Sequence, residues 1–131
     1  MTNERITGQD NVITAITNLS DGNPGGLSVC MNAYKFSPAI DPIGALGGFA
    51  PLLALDTLGI YGSRIWMLYK DVCGENLPKF LASLRAWQLG FVSKETLYHA
   101  IDNCGKGLDL DAATKQVCKR IPEFNSEWKA A

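Results

Sequence analysis

The chain has 131 residues, with 12 basic and 13 acidic side chains, a net charge of -1 and a mean hydropathy near zero. No block of like charges stands out, which argues against sequence-independent nucleic-acid binding, since that relies on clustered Lys and Arg facing phosphate. Hydrophobic residues make up 47% and charged residues only 19%, below the roughly 25% usual for soluble domains, a shortfall that a buried interface in a homo-oligomer would explain.

The length suits one compact domain, expected to be a single helical domain over 1–131 with flexible tails at 1–9 and 122–131. The N-terminal MTNERITGQD is polar and lacks the apolar segment of a secretory signal. The four cysteines, Cys30, Cys73, Cys104 and Cys118, form no CxxC pair, and His99 is the single histidine. Structural zinc wants closely spaced Cys and His ligands. The expectation is therefore buried, reduced thiols in the cytoplasm, with no metal and no cofactor. Ile43 to Leu55 carries no charge but is too short to span a bilayer, which takes about 20 residues.

In chain order, the periodic segments are helical and no alternating strand pattern appears. A first helix is expected over Asp10–Leu19, with Asp10 as N-cap and Val12, Ile13, Ile16 and Leu19 as its inner stripe. SDGNPGG at 20–26 breaks it. Pro24 cannot continue the first helix but suits the first turn of a second, expected to Phe36 with Leu27, Cys30, Met31, Tyr34 and Phe36 inside. SPAIDPIGALGG at 37–48 reads as a loop. A short third helix over Phe49–Leu58 tolerates Pro51 in its first turn, and Gly59 closes it in a left-handed conformation.

Ile60 to Cys73 reads as a fourth helix, apolar or aromatic nearly all round yet carrying Arg64 and Lys70, and Gly74 closes it. Asn76 caps a fifth helix with Pro78 in its first turn, ended by Gly90. Leu77, Leu81, Leu84 and Gln88 lie along one side of it, flanked by Phe80, Trp87 and Leu89. Ser93 caps a sixth helix to Asn103, with Leu97, Ala100 and Ile101 inside. A last helix runs from Asp109 or Asp111 to Arg120, where Lys115, Lys119 and Arg120 complement the helix dipole and Pro122 stops it. The fold class is all-α, a compact irregular bundle of six or seven short helices.

Candidate chemistry is thin for an enzyme. His99 and Asp102, three apart, could orient an imidazole but read more simply as a surface hydrogen bond, and no nucleophile elbow, HExxH or Walker loop occurs. DNCGKGLDLDAA at 102–113 resembles a calcium loop only superficially. Its third and fifth positions are Cys104 and Lys106, and its twelfth is Ala113 where a bidentate Glu is required. GNPGG reads first as a tight turn between two helices, but Asn23 and Gly25 stand at the start of a helix, where backbone N–H groups favour anions. The fourth helix is densest in chemistry. Arg64 and Lys70 suit phosphate, while Tyr61, Trp66 and Tyr69 offer flat faces for a base and Ser63 a hydroxyl. Arg64 and Asp71 share one helix face, so an internal pair is the competing reading, as is a core helix whose cations reach to its edge.

GIYGSRIWMLYKDVCG, preceded by GNPGG and GFAPLLALDTL, resembles a set of short uncharacterised bacteriophage proteins that carry an N-P-G turn followed by this block. The resemblance covers about residues 20–90 and leaves the C-terminal third without a counterpart. It implies a phage accessory protein acting in the bacterial cytoplasm and supplies no catalytic residues. The expectation is a non-enzymatic binding protein, a homo-oligomeric sponge for a nucleotide signal of host immunity. Its ligand-binding residues would be Arg64, Lys70, Tyr61, Ser63, Trp66, Tyr69, Asn23 and Gly25. Its partners would be a second copy and a small anionic or nucleotide ligand, without membrane or nucleic acid. The alternative is a structural or protein-interaction module, either an inhibitor of a host protein or a minor virion component.

Overall fold

The computed structural model describes residues 9–36 and 51–121, and within them the chain is all-α, with seven α-helices and no strand. The expected loop at 37–48 and the segments 1–8 and 122–131 lie outside the described residues. The chain divides into two compact units, Met1–Ile65 and Trp66–Ala131.

In the first unit, α1 (Gln9–Ser20) and α2 (Pro24–Phe36) pack against each other. Helix α1 already includes Asp10, so that residue is not the cap expected of it. Val12, Ile16 and Leu19 are buried at helical spacing, whereas Ile13 is 37% exposed and falls outside the inner stripe. Helix α2 has the expected bounds but turns a different face inward. Gly26, Val29, Cys30 and Ala33 are buried, while Leu27, Met31 and Tyr34 are half-exposed. The physical reason is size: a glycine, a cysteine and an alanine along one stripe let another backbone come close, and the larger side chains spread to the flanks.

The link between α1 and α2 is a type I′ turn. Asp21 and Gly22 both have positive φ, 49° and 77°, and the Asn23 N–H donates to the Ser20 carbonyl at 2.8 Å. Asp-Gly is the dipeptide such a turn favours. Asn23 then caps α2, its Oδ1 accepting from the Gly26 N–H at 2.9 Å, with Pro24 in the first turn.

Helix α3 (Leu53–Leu58) is shorter than expected, because Pro51 and Leu52 form a turn before it. It closes as foreseen. Gly59, at φ 78°, donates to the Asp56 carbonyl at 3.1 Å and Ile60 to the Leu55 carbonyl at 2.8 Å, the paired bonds of a Schellman end.

The expected fourth helix over Ile60–Cys73 is corrected twice. Ile60 and Tyr61 precede it, since Gly62 turns the chain at φ 56° and α4 starts only at Ser63 (Ser63–Met67). From Leu68 to Val72 the winding widens to a π-helix, in which the Cys73 N–H reaches back to the Leu68 carbonyl at 3.0 Å. Gly74 and Glu75, with φ of 62° and 59°, then end the run.

In the second unit, α5 (Leu77–Gln88) is central and packs on the π-helical segment and on α7 (Leu110–Arg120), while α6 (Lys94–Asp102) packs on the π-helical segment. Asn76 and Ser93 cap α5 and α6 as expected, and of the two starts left open for α7, Asp109 is the cap. Asn76 accepts from the Lys79 N–H at 3.0 Å, Ser93 from Thr96 at 3.0 Å and Asp109 from Ala112 at 3.0 Å. Phe80, Leu81, Leu84 and Leu97 are no more than 1% exposed, and each contributes about 2 kcal/mol of burial.

Candidate functional site

The two glycine-bearing motifs meet in the first unit. The Gly62 N–H donates to the Leu19 carbonyl at 3.0 Å. A Cβ on Gly26 would stand 2.6 Å from the Gly62 carbonyl oxygen, closer than any side chain allows. A Cβ on Gly62 would in turn meet the Ser20 carbonyl at 3.3 Å and the Cβ atoms of Asp21 and Asn23 at 3.6 and 3.9 Å. GNPGG and GIYGS are thus two turns pressed backbone to backbone. Asn23 spends its side chain and its carbonyl on the α2 start, bonding the N–H groups of Gly26 and Leu27, and Pro24 has no N–H to give. Gly25 follows Pro24 in the same turn. The local geometry gives Asn23 an architectural role.

Tyr61 follows the Schellman end of α3 and is 40% exposed. Its hydroxyl donates to the Asp56 Oδ1 at 2.5 Å and also reaches the Asp56 carbonyl at 3.3 Å. The phenol is therefore held along the end of α3. Ser63 is exposed and Arg64 half-buried; the Arg64 backbone N–H donates to the Tyr61 carbonyl at 3.0 Å.

In the second unit, Trp66, Tyr69 and Lys70 form one group. The Lys70 ammonium lies 5.9 Å from the centre of the Trp66 ring, within cation–π range. Trp66 and Tyr69 stand 5.8 Å apart with their planes tilted by 44°, and Tyr69 meets Phe80 edge-on at 6.2 Å. The Tyr69 hydroxyl also donates to the Glu75 carbonyl at 3.1 Å. Desolvation first, and the Glu75 carboxylate second, push the Tyr69 phenol above its ordinary range, so it stays a neutral donor at physiological pH.

The partition of this segment explains its composition. Ile65 and Leu68 are fully buried and Cys73 is 2% exposed, whereas Trp66, Met67 and Tyr69 are half-exposed and Lys70 exposed. The segment is therefore not a core helix buried all round. One extra residue in the π-helical turn shifts the face presented by everything after it.

His99 is exposed and its Nδ1 lies 3.2 Å from the Asn103 amide nitrogen, which also donates to the His99 carbonyl at 2.8 Å. A Cβ on Gly107 would stand 3.1 Å from the His99 Cδ2, so the loop after α6 closes against the imidazole. Asn103 is the residue that orients the ring, a partner the Asp102 spacing did not indicate. Asp109 of the calcium-like segment is spent as the α7 cap. The thiols of Cys30 and Cys73 are buried and pushed up to about 12 by desolvation, with Ser83 and Lys79 drawing Cys73 back somewhat. They are poor nucleophiles at neutral pH.

One residue escaped the sequence reading. Arg85, in the middle of α5, is only 3% exposed, and its guanidinium donates to the Gln88 Oε1 at 3.0 Å. Only its position among Leu84, Ala86 and Trp87 signalled burial. Among the described residues, no group of three or more His, Cys, Asp or Glu is placed to hold a metal ion, and no helix is long and apolar enough to cross a membrane.

The chain matches no family model, no curated protein and no solved structure.

Proposed function

We propose that this chain is a non-enzymatic binding protein for a small nucleotide-like anion, taken up on the Trp66–Tyr69–Lys70 surface. The observation that carries the reading is that Lys70 is exposed and Trp66 and Tyr69 reach solvent in part, while Ile65 and Leu68 are buried. Half-exposed aromatic rings cost solvation unless something covers them, and Trp and Tyr beside a cation are suited to a base and its phosphate. The Lys70 ammonium already rests near the Trp66 face, so a phosphate would draw it a short way and free the ring for stacking. The resemblance to phage accessory proteins supplies the context: a homo-oligomeric sponge that sequesters a nucleotide signal of host immunity in the bacterial cytoplasm.

The test is titration calorimetry of the purified chain with cyclic dinucleotides, cyclic ADP-ribose isomers and common nucleotides, beside native mass spectrometry. At least one ligand is expected to bind, adding a few hundred daltons per site. Trp66→Ala and Lys70→Ala are expected to abolish binding while leaving the helical circular dichroism intact. Absence of binding across the panel, or equal binding by both variants, overturns the proposal.

A further inference from the structure

The second unit carries a groove that the Trp66 surface does not use. Two adjoining hollows, of about 420 and 350 Å³, share Phe91 and Gln116 as walls. One side is the α5–α6 turn with Phe91 and Ser93, continued by Thr96 in the first turn of α6. The other is a stripe of α7: Ala112, Gln116, Lys119 and Arg120. This stripe neighbours the face that α7 buries through Ala113, Thr114 and Val117. From residue 112 to residue 120 it runs about 12 Å at the helical rise, the span of roughly four extended residues. The groove is open along its length and so would leave much of a small molecule in water, unlike a ligand pocket, which encloses most of its occupant.

Its charge is graded. Lys119 and Arg120 are exposed at one end, and the exposed carboxylate of Asp109 lines the other. The half-buried Phe91 lies between, with Gln116 beside it to pair with a backbone amide. We propose that this groove docks an extended peptide segment of a partner protein, carrying acidic residues at one end and an apolar or aromatic anchor set against Phe91. The gradient fixes direction: the acidic end lies over Lys119 and Arg120, because Asp109 repels it from the opposite end.

The test selects binders to the full chain from a displayed library of random seven-residue peptides. Enriched peptides are expected to carry at least two acidic residues on one side of an apolar residue. Synthesised with a fluorescent label, they are expected to lose about tenfold in affinity, or more, when Lys119→Glu and Arg120→Glu are combined, and to weaken as salt rises. Ala112→Trp, at an exposed position that fills the groove, is expected to block binding independently of charge. Circular dichroism of both variants checks that the fold stands. Selection of peptides without acids, no enrichment at all, or equal binding by both variants overturns the proposal. So does a single-stranded thymidine oligonucleotide that displaces the peptide and binds more tightly. Binding of nucleotides at Trp66 is read separately, since neither variant touches that surface.

Discussion

Gly26 and Gly62, far apart in sequence, meet so closely that a methyl group on Gly26 would stand 2.6 Å from the Gly62 carbonyl oxygen. The obstacle is backbone, not the end of a flexible side chain, so it cannot swing aside. Gly26→Ala is expected to lower stability by about 2 kcal/mol or more, the scale of overpacking. Gly22→Ala is the control: it has positive φ but open space around its Cβ position, so its cost is the left-handed strain alone, about 1 kcal/mol. Urea unfolding of the two variants checks the order. A Gly22→Ala that costs more than Gly26→Ala would refute the close approach.

The helix caps give a second measurement. Asp109→Ala removes the acceptor of the Ala112 N–H and is expected to cost about 1 kcal/mol, whereas Asp109→Asn keeps an acceptor and costs a few tenths. The same pair of substitutions also asks whether the segment binds calcium. A cap requires an acceptor and no charge, so the Asn variant should behave like the parent with or without the ion. A calcium-dependent Tm in the parent that Asp109→Asn abolishes would show that the segment holds the ion.

These caps mark what the sequence made legible. A Ser, Asn or Asp before a helical stripe acts through its own side chain on an N–H three residues on, so Asn76 and Ser93 are readable one by one, while Asp109 and Asp111 compete for the start of α7. Pro24 after Asn23 likewise fixed the start of α2. What could not be read depended on contacts remote in sequence. The inner face of α2 is set by how closely another backbone can approach its glycine, cysteine and alanine, and that choice left Leu27, Met31 and Tyr34 half-exposed. The π-helical turn at Leu68–Val72 has no composition of its own. Of the expected site, the Trp66–Tyr69–Lys70 group was visible as residue types, but its partial exposure was not. Asn23 and Gly25 admit two readings, an anion cradle and a tight interhelical turn, because both use the same residues.

The buried thiols predict a pH dependence. In the unfolded chain a thiol ionises near 9.0, while Cys30 and Cys73 in the fold are held up to about 12 by desolvation. Below pH 9 both states keep the proton and stability is unaffected. Above it the unfolded chain releases protons that the folded one retains. Stability therefore falls as pH rises from about 9 towards 12, by up to about 1.4 kcal/mol per pH unit for each thiol. Denaturation midpoints measured from pH 7 to 11 are expected to drop, and Cys30→Ala and Cys73→Ala each to flatten the slope above pH 9. At pH 8 iodoacetamide is expected to label the exposed Cys104 promptly and to reach Cys30 and Cys73 only on unfolding. Labelling of all three at one rate would contradict the burial.

The division of labour along the Ser63–Val72 run can be measured without knowing the ligand. Leu68 is 0% exposed and Trp66 half-exposed. If the run served only the core, the larger side chain would be the costlier to remove, since Trp→Ala in a core costs about 3–5 kcal/mol. Trp66 is only partly covered, so it gives up less on truncation than a core tryptophan would, and the order reverses. Leu68→Ala is expected to lower stability by about 3 kcal/mol and Trp66→Ala by about 1 kcal/mol, the ordinary cost of a partly exposed site. Lys70→Ala is expected to stay within about 0.5 kcal/mol, because an exposed cation–π contact is worth little. Chemical denaturation checks the three. A Trp66→Ala that costs more than Leu68→Ala would return the ring to the core and remove the surface on which the nucleotide-binding reading rests.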